Sequence, residues 1–378
     1  MNLPFDINTV ATPAFVVDRE LLIHNLEILR NVKTLAGCKI ILAQKAFSMF
    51  YFYPLIGQYL DGTCASGLYE AKLGYEHMGG ENHVFSAAYR PDEFAEITKT
   101  CDHILFNSLA QWERYSYEAI RAGCSCGIRI NPEHSTQDHA IYDPCSPGSR
   151  LGVTLANMPE ALPNGVEGLH FHTLCEQDSD ALEVTLNEVE EKFGKYLSKI
   201  KWLNFGGGHH ITKAGYDIER LIKCVKHVRE LYGVEVYLEP GEAVALNAGF
   251  LVSTVLDITC SGDIINAILD TSAACHMPDV IEMPYRPPLL NSGESREKQY
   301  TYRLSGPTCL AGDIIGDYSF DSPLAVGSRV AFGDMAIYSM VKTNTFNGMP
   351  LPSLYASESG KAHIIRSFGY CDFKNRLS

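Results

Sequence analysis

Short apolar runs recur through the first two thirds of the chain, each followed by a stretch whose apolar positions return every three or four residues. Lys39-Ile40-Ile41-Leu42-Ala43, His83-Val84-Phe85-Ser86-Ala87, His103-Ile104-Leu105-Phe106-Asn107, Leu169-His170-Phe171-His172 and Val234-Glu235-Val236-Tyr237-Leu238-Glu239 are too short for helices and rich in β-forming residues. Strands are predicted near 39–44, 60–65, 83–87, 103–107, 126–131, 167–172, 201–205 and 234–239. Helical spacing fills the gaps: Leu22, Leu26 and Leu29 share a face over 20–34, and Ile218, Leu221, Ile222, Val225 and Val228 share one over 216–232. Eight strands alternating with helices predict an α/β fold, a parallel (β/α)8 barrel of the TIM type over residues 20–255. After 256 the pattern changes. Leu256-Asp257-Ile258-Thr259, the run 264–270 and Arg329-Val330-Ala331-Phe332 read as strands of a second, β-rich domain over 256–378. The N-terminal strand Ala14-Phe15-Val16-Val17-Asp18, within 1–19, is expected to join it.

Composition narrows the class. At 378 residues, 46% hydrophobic and 20% charged, the chain has ordinary globular character, and no apolar run approaches the roughly 18 residues of a membrane span. The start, Met1-Asn2-Leu3-Pro4-Phe5-Asp6, lacks the basic and apolar regions of a signal peptide, so a cytoplasmic protein is expected. Twelve cysteines lie without a C-x-x-C pair and read as free thiols. The net charge of −14 argues against nucleic acid and anionic membranes as partners and is compatible with a cationic substrate.

The candidate chemistry falls at C-terminal strand ends, the face where barrels of this kind act. Lys45 follows the first strand, His172 ends the sixth, Gly206-Gly207-Gly208 follows the seventh and Glu239 ends the eighth. A partly desolvated lysine amine can form a Schiff base, and a ring such as His172 can stack on a flat cofactor. Successive glycine N–H groups can receive a phosphate, without help from a helix that starts only near Ile218. A carboxylate at Glu239 can keep a pyridine nitrogen protonated. Later in the chain, Cys309 of Gly306-Pro307-Thr308-Cys309 is a candidate proton donor, Asp313 a ligand for a substrate amine, and Tyr338 a donor to the phosphate. The ordered set points to pyridoxal 5'-phosphate (PLP). His209-His210 offers no metal site, because adjacent side chains diverge and no third ligand is at hand in sequence.

This set resembles the PLP-dependent decarboxylases of the alanine-racemase-like fold, which act on ornithine, diaminopimelate, arginine and carboxynorspermidine or carboxyspermidine. The likeness covers nearly the whole chain: Lys45, Cys64-Ala65-Ser66, His172, Gly206-Gly207-Gly208, Glu239-Pro240-Gly241, Gly306-Pro307-Thr308-Cys309 and Tyr338 match the family's motifs. It implies a homodimer with shared active sites, Cys309 being lent by the partner subunit. Departures choose the branch. Diaminopimelate decarboxylases usually continue Glu-Pro-Gly with an arginine, and here Glu242 follows. With His170-Phe171-His172-Thr173-Leu174-Cys175, the His209-His210 pair and Cys275-His276-Met277-Pro278-Asp279, the chain is most similar to the carboxynorspermidine branch. Glu242, Asp279 and Asp313 would then supply negative charge for a polyamine. A diaminopimelate or ornithine decarboxylase is the alternative.

Overall fold

The computed structural model describes residues 3–137 and 140–378. The chain forms two compact units. One spans Asn25–Val244; the other combines Met1–His24 with Ala245–Ser378.

The first strand, β1 (Ala14–Asp18), belongs to the second unit. The barrel follows as β2 (Lys39–Ala43), β3 (Gly62–Ala65), β4 (Glu81–Ser86), β5 (His103–Phe106), β6 (Ser125–Arg129), β7 (Val166–His170), β8 (Trp202–Asn204) and β9 (Glu235–Leu238). All neighbours are parallel, and β9 returns to β2 through Lys39↔Tyr237 and Ile40↔Leu238. Each expected strand is present within a few residues. Helices occupy the expected gaps, among them Arg19–Ala36 and Ile218–Tyr232. The second ends at Gly233, whose φ of 68° forms a left-handed cap.

Two strand glycines make room for one indole. Trp202 is 3% exposed, and a Cβ at Gly168 would lie 2.1 Å from its ring, one at Gly127 2.3 Å. The large ring fills the interior only because its neighbours on β6 and β7 have no side chain there.

The N-terminal ends of the strands carry a polar floor. Lys39, Glu81, His103 and Glu235 each begin a strand. Glu81 pairs with Lys39, accepts from Tyr237 Oη at 2.9 Å and lies 3.2 Å from His83 Nε2. His83 and His103 stack with centroids 4.0 Å apart and planes 7° apart.

The second unit begins at Ala245 rather than at 256, because the long strand β10 (Gly249–Ser261) lies wholly within its sheet. The other strands are β11 (Ile264–Leu269), β12 (Tyr300–Ser305), β13 (Ile314–Phe320), β14 (Arg329–Gly333), β15 (Ser353–Glu358) and β16 (Lys361–Arg366). The sheet order is β13-β12-β11-β10-β1-β15-β16, with β14 also on β10. β1 is thus central, antiparallel to β10 and parallel to β15, as its apolar run anticipates. β12, β13, β15 and β16 were not anticipated. Their burial is mixed, and polar residues break any continuous apolar run.

Two stability predictions follow from the barrel interior. Gly168→Ala should cost about 1–3 kcal/mol by overpacking against Trp202, read as a lower denaturant midpoint, and Trp202→Leu in the same chain should recover part of the loss. The floor should also make the barrel acid-sensitive. Burial, with His83 beside it, pushes His103 down to about 3 from 6.5, and donors from His83, Lys39 and Tyr237 overcome burial to hold Glu81 below its usual 4.5. Both folded values lie below the unfolded ones, so the unfolded chain binds more protons as pH falls. The contribution is complete above about pH 6.5 and declines below it, His103 first and Glu81 below about 4.5. His103→Gln should flatten the upper part of that decline in urea titrations.

Candidate active site

The mouth of the barrel is built from residues that immediately follow the strands. β2 runs on into a turn at Gln44–Ala46, where Ala46 N donates to Ala43 O at 3.2 Å, and Lys45 projects from it. Lys45 is exposed, so the desolvation expected at its strand end is not in place. The turn is pressed against the Glu239-Pro240-Gly241 segment: Ala43 N donates to Pro240 O at 3.2 Å, and a Cβ at Gly241 would lie 2.7 Å from Ala46 Cβ. Glycine at 241 is what permits this approach.

Glu239 is 4% exposed, and its Oε1 accepts from Asn204 Nδ2 at 2.7 Å. Its Oε2 lies 3.5 Å from His170 Nε2. Burial works against the charge, but His170, then His83 and the Asn204 amide, more than offset it and hold the carboxyl down to about 2. Glu239 is therefore an anion at neutral pH, as a partner for a protonated ring nitrogen must be.

The glycine loop is organised differently from a simple anion nest. Gly206 N donates to Asn204 Oδ1 at 2.8 Å and Gly207 N to His172 Nδ1 at 3.0 Å. Two of the three N–H groups thus hold neighbouring side chains, and among the described residues Gly208 N–H is the one left without a backbone or side-chain acceptor. Gly206 and Gly208 have φ of 70° and 85°, where side chains are strained. A Cβ at Gly207 would lie 2.6 Å from Glu239 O and 3.1 Å from His172 Cε1. The loop wraps the histidine. Because Nδ1 accepts, His172 is neutral with its proton on Nε2, and burial, with Lys45 and Arg129 nearby, keeps its pKa well below the usual range.

Three residues without an assigned role in the sequence also meet here. Arg129 ends β6 with 5% exposure, donates to His172 O at 3.0 Å and stacks 4.5 Å over Phe85; burial pulls its pKa down to about 10. Asn204 bridges Glu239 to the glycine loop. Buried Cys64 lies beside Glu239, and burial followed by that charge pushes its thiol well above the ordinary range. The available signal was a polar side chain at the inward end of an apolar strand, which is costly without a partner.

Histidine and carboxylate groups also meet where no metal was expected. Glu81, His83 and His103 form one group and His170, His172 and Glu239 another, each with donor atoms within 4.8 Å of one another. In the first, parallel ring planes keep the nitrogens from converging and Lys39 occupies the carboxylate. The second is the mouth just described. His209 and His210 are buried and held down to about 4, chiefly by burial, and His210 Nε2 lies 3.8 Å from Glu242 Oε1.

In the second unit, Cys309 is exposed and its N–H donates to Asn347 Oδ1 at 3.1 Å. Tyr338 precedes the short helix Ser339–Lys342 with φ of 53°, a strained backbone for a bulky residue of the kind that functional positions hold. Asp279 begins the short helix Asp279–Glu282 and pairs with Lys342, which also lies 3.4 Å from Glu282. Asp313 differs from its expected role. It is 2% exposed, with carboxylate oxygens 3.0 Å from Ser272 Oγ, 2.6 Å from Thr308 Oγ1 and 3.3 Å from Ala274 N. It ties the Cys309 loop down instead of facing outward.

The arrangement fits PLP: an amine, an ionised carboxylate, a neutral ring and an unclaimed backbone donor all meet at one barrel end. A family profile described as pyridoxal-dependent decarboxylase, C-terminal sheet domain, matches residues 14–336. The chain belongs to the pyridoxal-dependent decarboxylases. This decarboxylase is 43% identical to the carboxynorspermidine/carboxyspermidine decarboxylase of Campylobacter jejuni, over 97% of this chain and 98% of that one. It is also 43% identical to the carboxyaminopropylagmatine decarboxylase of Synechocystis, over 98% and 96%. The crystal structure of carboxynorspermidine decarboxylase complexed with norspermidine from Campylobacter jejuni is similar with a TM-score of 0.90 and 42% identity, covering 97% of this chain and 100% of that one. Diaminopimelate decarboxylases match at 21–24% identity. The decarboxylase is a carboxy-lyase with PLP as cofactor. Among the described residues, no helix is long and apolar enough to cross a membrane.

Gly207→Ala in the decarboxylase should tilt His172 and weaken cofactor binding about tenfold, as expected of overpacking by 1–3 kcal/mol, measured by absorbance titration of the cofactor-free protein.

Proposed function

We propose that this decarboxylase removes the α-carboxylate of carboxynorspermidine or carboxyspermidine, yielding norspermidine or spermidine in polyamine biosynthesis. The observation that carries this reading is Glu242. It stands directly after Glu239-Pro240-Gly241, where an arginine would receive the second carboxylate of diaminopimelate, and it lies 3.8 Å from His210. A glutamate there attracts a cationic chain and repels an acidic one. Near-full-length identity to the Campylobacter enzyme supports the same reading. The Synechocystis relative supports a second: a substrate whose agmatine tail ends in a guanidinium, which an acidic pocket would also accept.

In this reading Lys45 holds the cofactor covalently, His172 lies on its ring, Gly208 N–H and the Tyr338 hydroxyl receive its phosphate, and Glu239 faces its ring nitrogen. Gly206 and Gly207 act through Asn204 and His172, which their N–H groups fix in place. When bound, PLP supplies the electron sink for the pair released as carbon dioxide leaves. Cys309 Sγ returns a proton to the α-carbon. Asp279 and Glu242 attract the amines of the substrate, Asp279 in exchange for its contact with Lys342. Asp313 is assigned to holding the Cys309 loop. The working assembly is a homodimer in which each subunit lends Cys309 to its partner. The cytoplasm suits it, because all twelve cysteines are free thiols, which persist in a reducing compartment.

Carbon dioxide release from carboxynorspermidine, carboxyspermidine, carboxyaminopropylagmatine, diaminopimelate and ornithine, offered separately to the cofactor-loaded enzyme, tests this. Turnover of the carboxylated triamines is expected to dominate. Comparable kcat/KM on diaminopimelate or ornithine would overturn it. Glu242→Arg should raise KM for carboxynorspermidine about tenfold or more, and an unchanged KM would remove Glu242 from the pocket.

A further inference from the structure

Glu239 needs more than a low pKa to serve a ring nitrogen; its carboxylate plane must also be fixed. Asn204 fixes one oxygen. The Asn204 amide orientation is set in turn, because its Oδ1 accepts the Gly206 N–H at 2.8 Å and only Nδ2 remains to meet Glu239. The other oxygen lies 3.5 Å from Nε2 of His170, the last residue of β7, which is 1% exposed and whose ring nitrogens have no hydrogen-bond partner among the described residues. We propose that His170 is a positioning residue for Glu239: a neutral imidazole that turns Nε2–H toward Oε2 and leaves the rest of the carboxylate directed at the ring nitrogen of bound PLP. The proposal rests on the decarboxylase reading and deepens it.

Three protonation states are open to a histidine, and two conflict with these surroundings. An imidazolium would be a further cation in a buried pocket that already has Arg129 on β6 and Lys45 after β2 within electrostatic reach. Burial first, then those two charges, push His170 below its usual range in spite of the attraction of Glu239. The Nδ1–H tautomer would set a nitrogen lone pair against Oε2 at 3.5 Å and leave a buried N–H with no acceptor among the described residues. An unmet buried donor of that kind keeps its full desolvation penalty. The Nε2–H tautomer avoids both. Of the remaining titratable neighbours, burial holds the Cys64 thiol on β3 protonated and keeps His172 and His209 neutral, and His83 on β4 lies against Glu81, with Nε2 3.2 Å from that carboxylate.

Neutrality is the functional point. A cationic His170 would share the Glu239 charge and reduce its pull on a proton at the ring nitrogen. A neutral donor orients the same carboxylate without competing for it, so the ring nitrogen remains the site to which Glu239 directs a proton.

Labelling separates this role from packing. In the wild-type holoenzyme, ¹⁵N-histidine spectra should show His170 as the neutral Nε2–H tautomer throughout the neutral pH range; an imidazolium or an Nδ1–H form would overturn the proposal. With ¹⁵N-labelled PLP, His170→Phe should move the ring nitrogen toward its unprotonated shift and lower kcat about tenfold or more, with KM and cofactor retention changed little. His170→Gln, which keeps an N–H donor, should restore the protonated shift and most of kcat. A protonated ring nitrogen and full kcat in His170→Phe would make His170 a packing residue. If His170→Phe fails to fold, the wild-type tautomer and His170→Gln still decide. Failure of the wild type to decarboxylate any carboxylated triamine would sink the substrate reading alone, because both nitrogen signals are read without substrate.

Discussion

The pairing of β9 with β2 closes the barrel, and the arrangement of the mouth follows from it. Beyond the paired residues Lys39↔Tyr237 and Ile40↔Leu238, the two segments stay joined by the hydrogen bond from Ala43 N to Pro240 O. The lysine turn and the Glu-Pro-Gly segment therefore emerge side by side although they come from opposite ends of the barrel sequence. Closure makes this possible: in an open sheet with this strand order the first and last strands would be the two most distant elements. With Gly241 lacking a side chain, the backbones pack closely enough to hold an amine and a carboxylate on one rim.

Inside that closed wall, charge is kept at the two ends. The floor holds Lys39 paired with both Glu81 and Glu235, and the mouth holds Lys45, Arg129 and Glu239. Between them lie Leu105, Trp202 and Tyr237, with Phe85 packed against them. The carboxylate of Glu81 in the floor is satisfied by Lys39, Tyr237 and His83. The mouth has a carboxylate that accepts from Asn204 and lies 3.5 Å from His170, an arginine meeting a carbonyl and a lysine at an exposed turn. Such an uneven distribution is stable only because the barrel backbone over-determines each position.

The strand count, the barrel and the rim positions of Lys45, His172, Gly206-Gly207-Gly208 and Glu239 were legible because each rests on a local signal: a short apolar run and the residue that ends it. Asn204, Arg129 and the inward turn of Asp313 were not. Their roles depend on partners far away in sequence, such as Asn204 with Glu239 or Asp313 with Ser272, and a polar residue in isolation does not announce its partner. The glycine loop was read as a row of anion donors because glycine permits that geometry; His172 and Asn204, which claim two of the three N–H groups, are visible only once the strands are side by side. The four unforeseen strands of the second unit illustrate the same limit. Their partners, more than their own composition, make them strands.

The Asn204 amide has a consequence for how this site can change over generations. Its oxygen holds the first glycine of the loop and its nitrogen holds the ring carboxylate, so a single residue keeps two grips in register. Drift in the loop would be passed to the carboxylate, and the reverse. A change at the loop and a change at Glu239 are therefore not independent, whereas Glu242 and Asp279 have no hydrogen bond with Asn204 among the described residues and can change without disturbing it. A graft of the loop from a relative without an amide at this strand end would bring the shape of the grip but not its alignment.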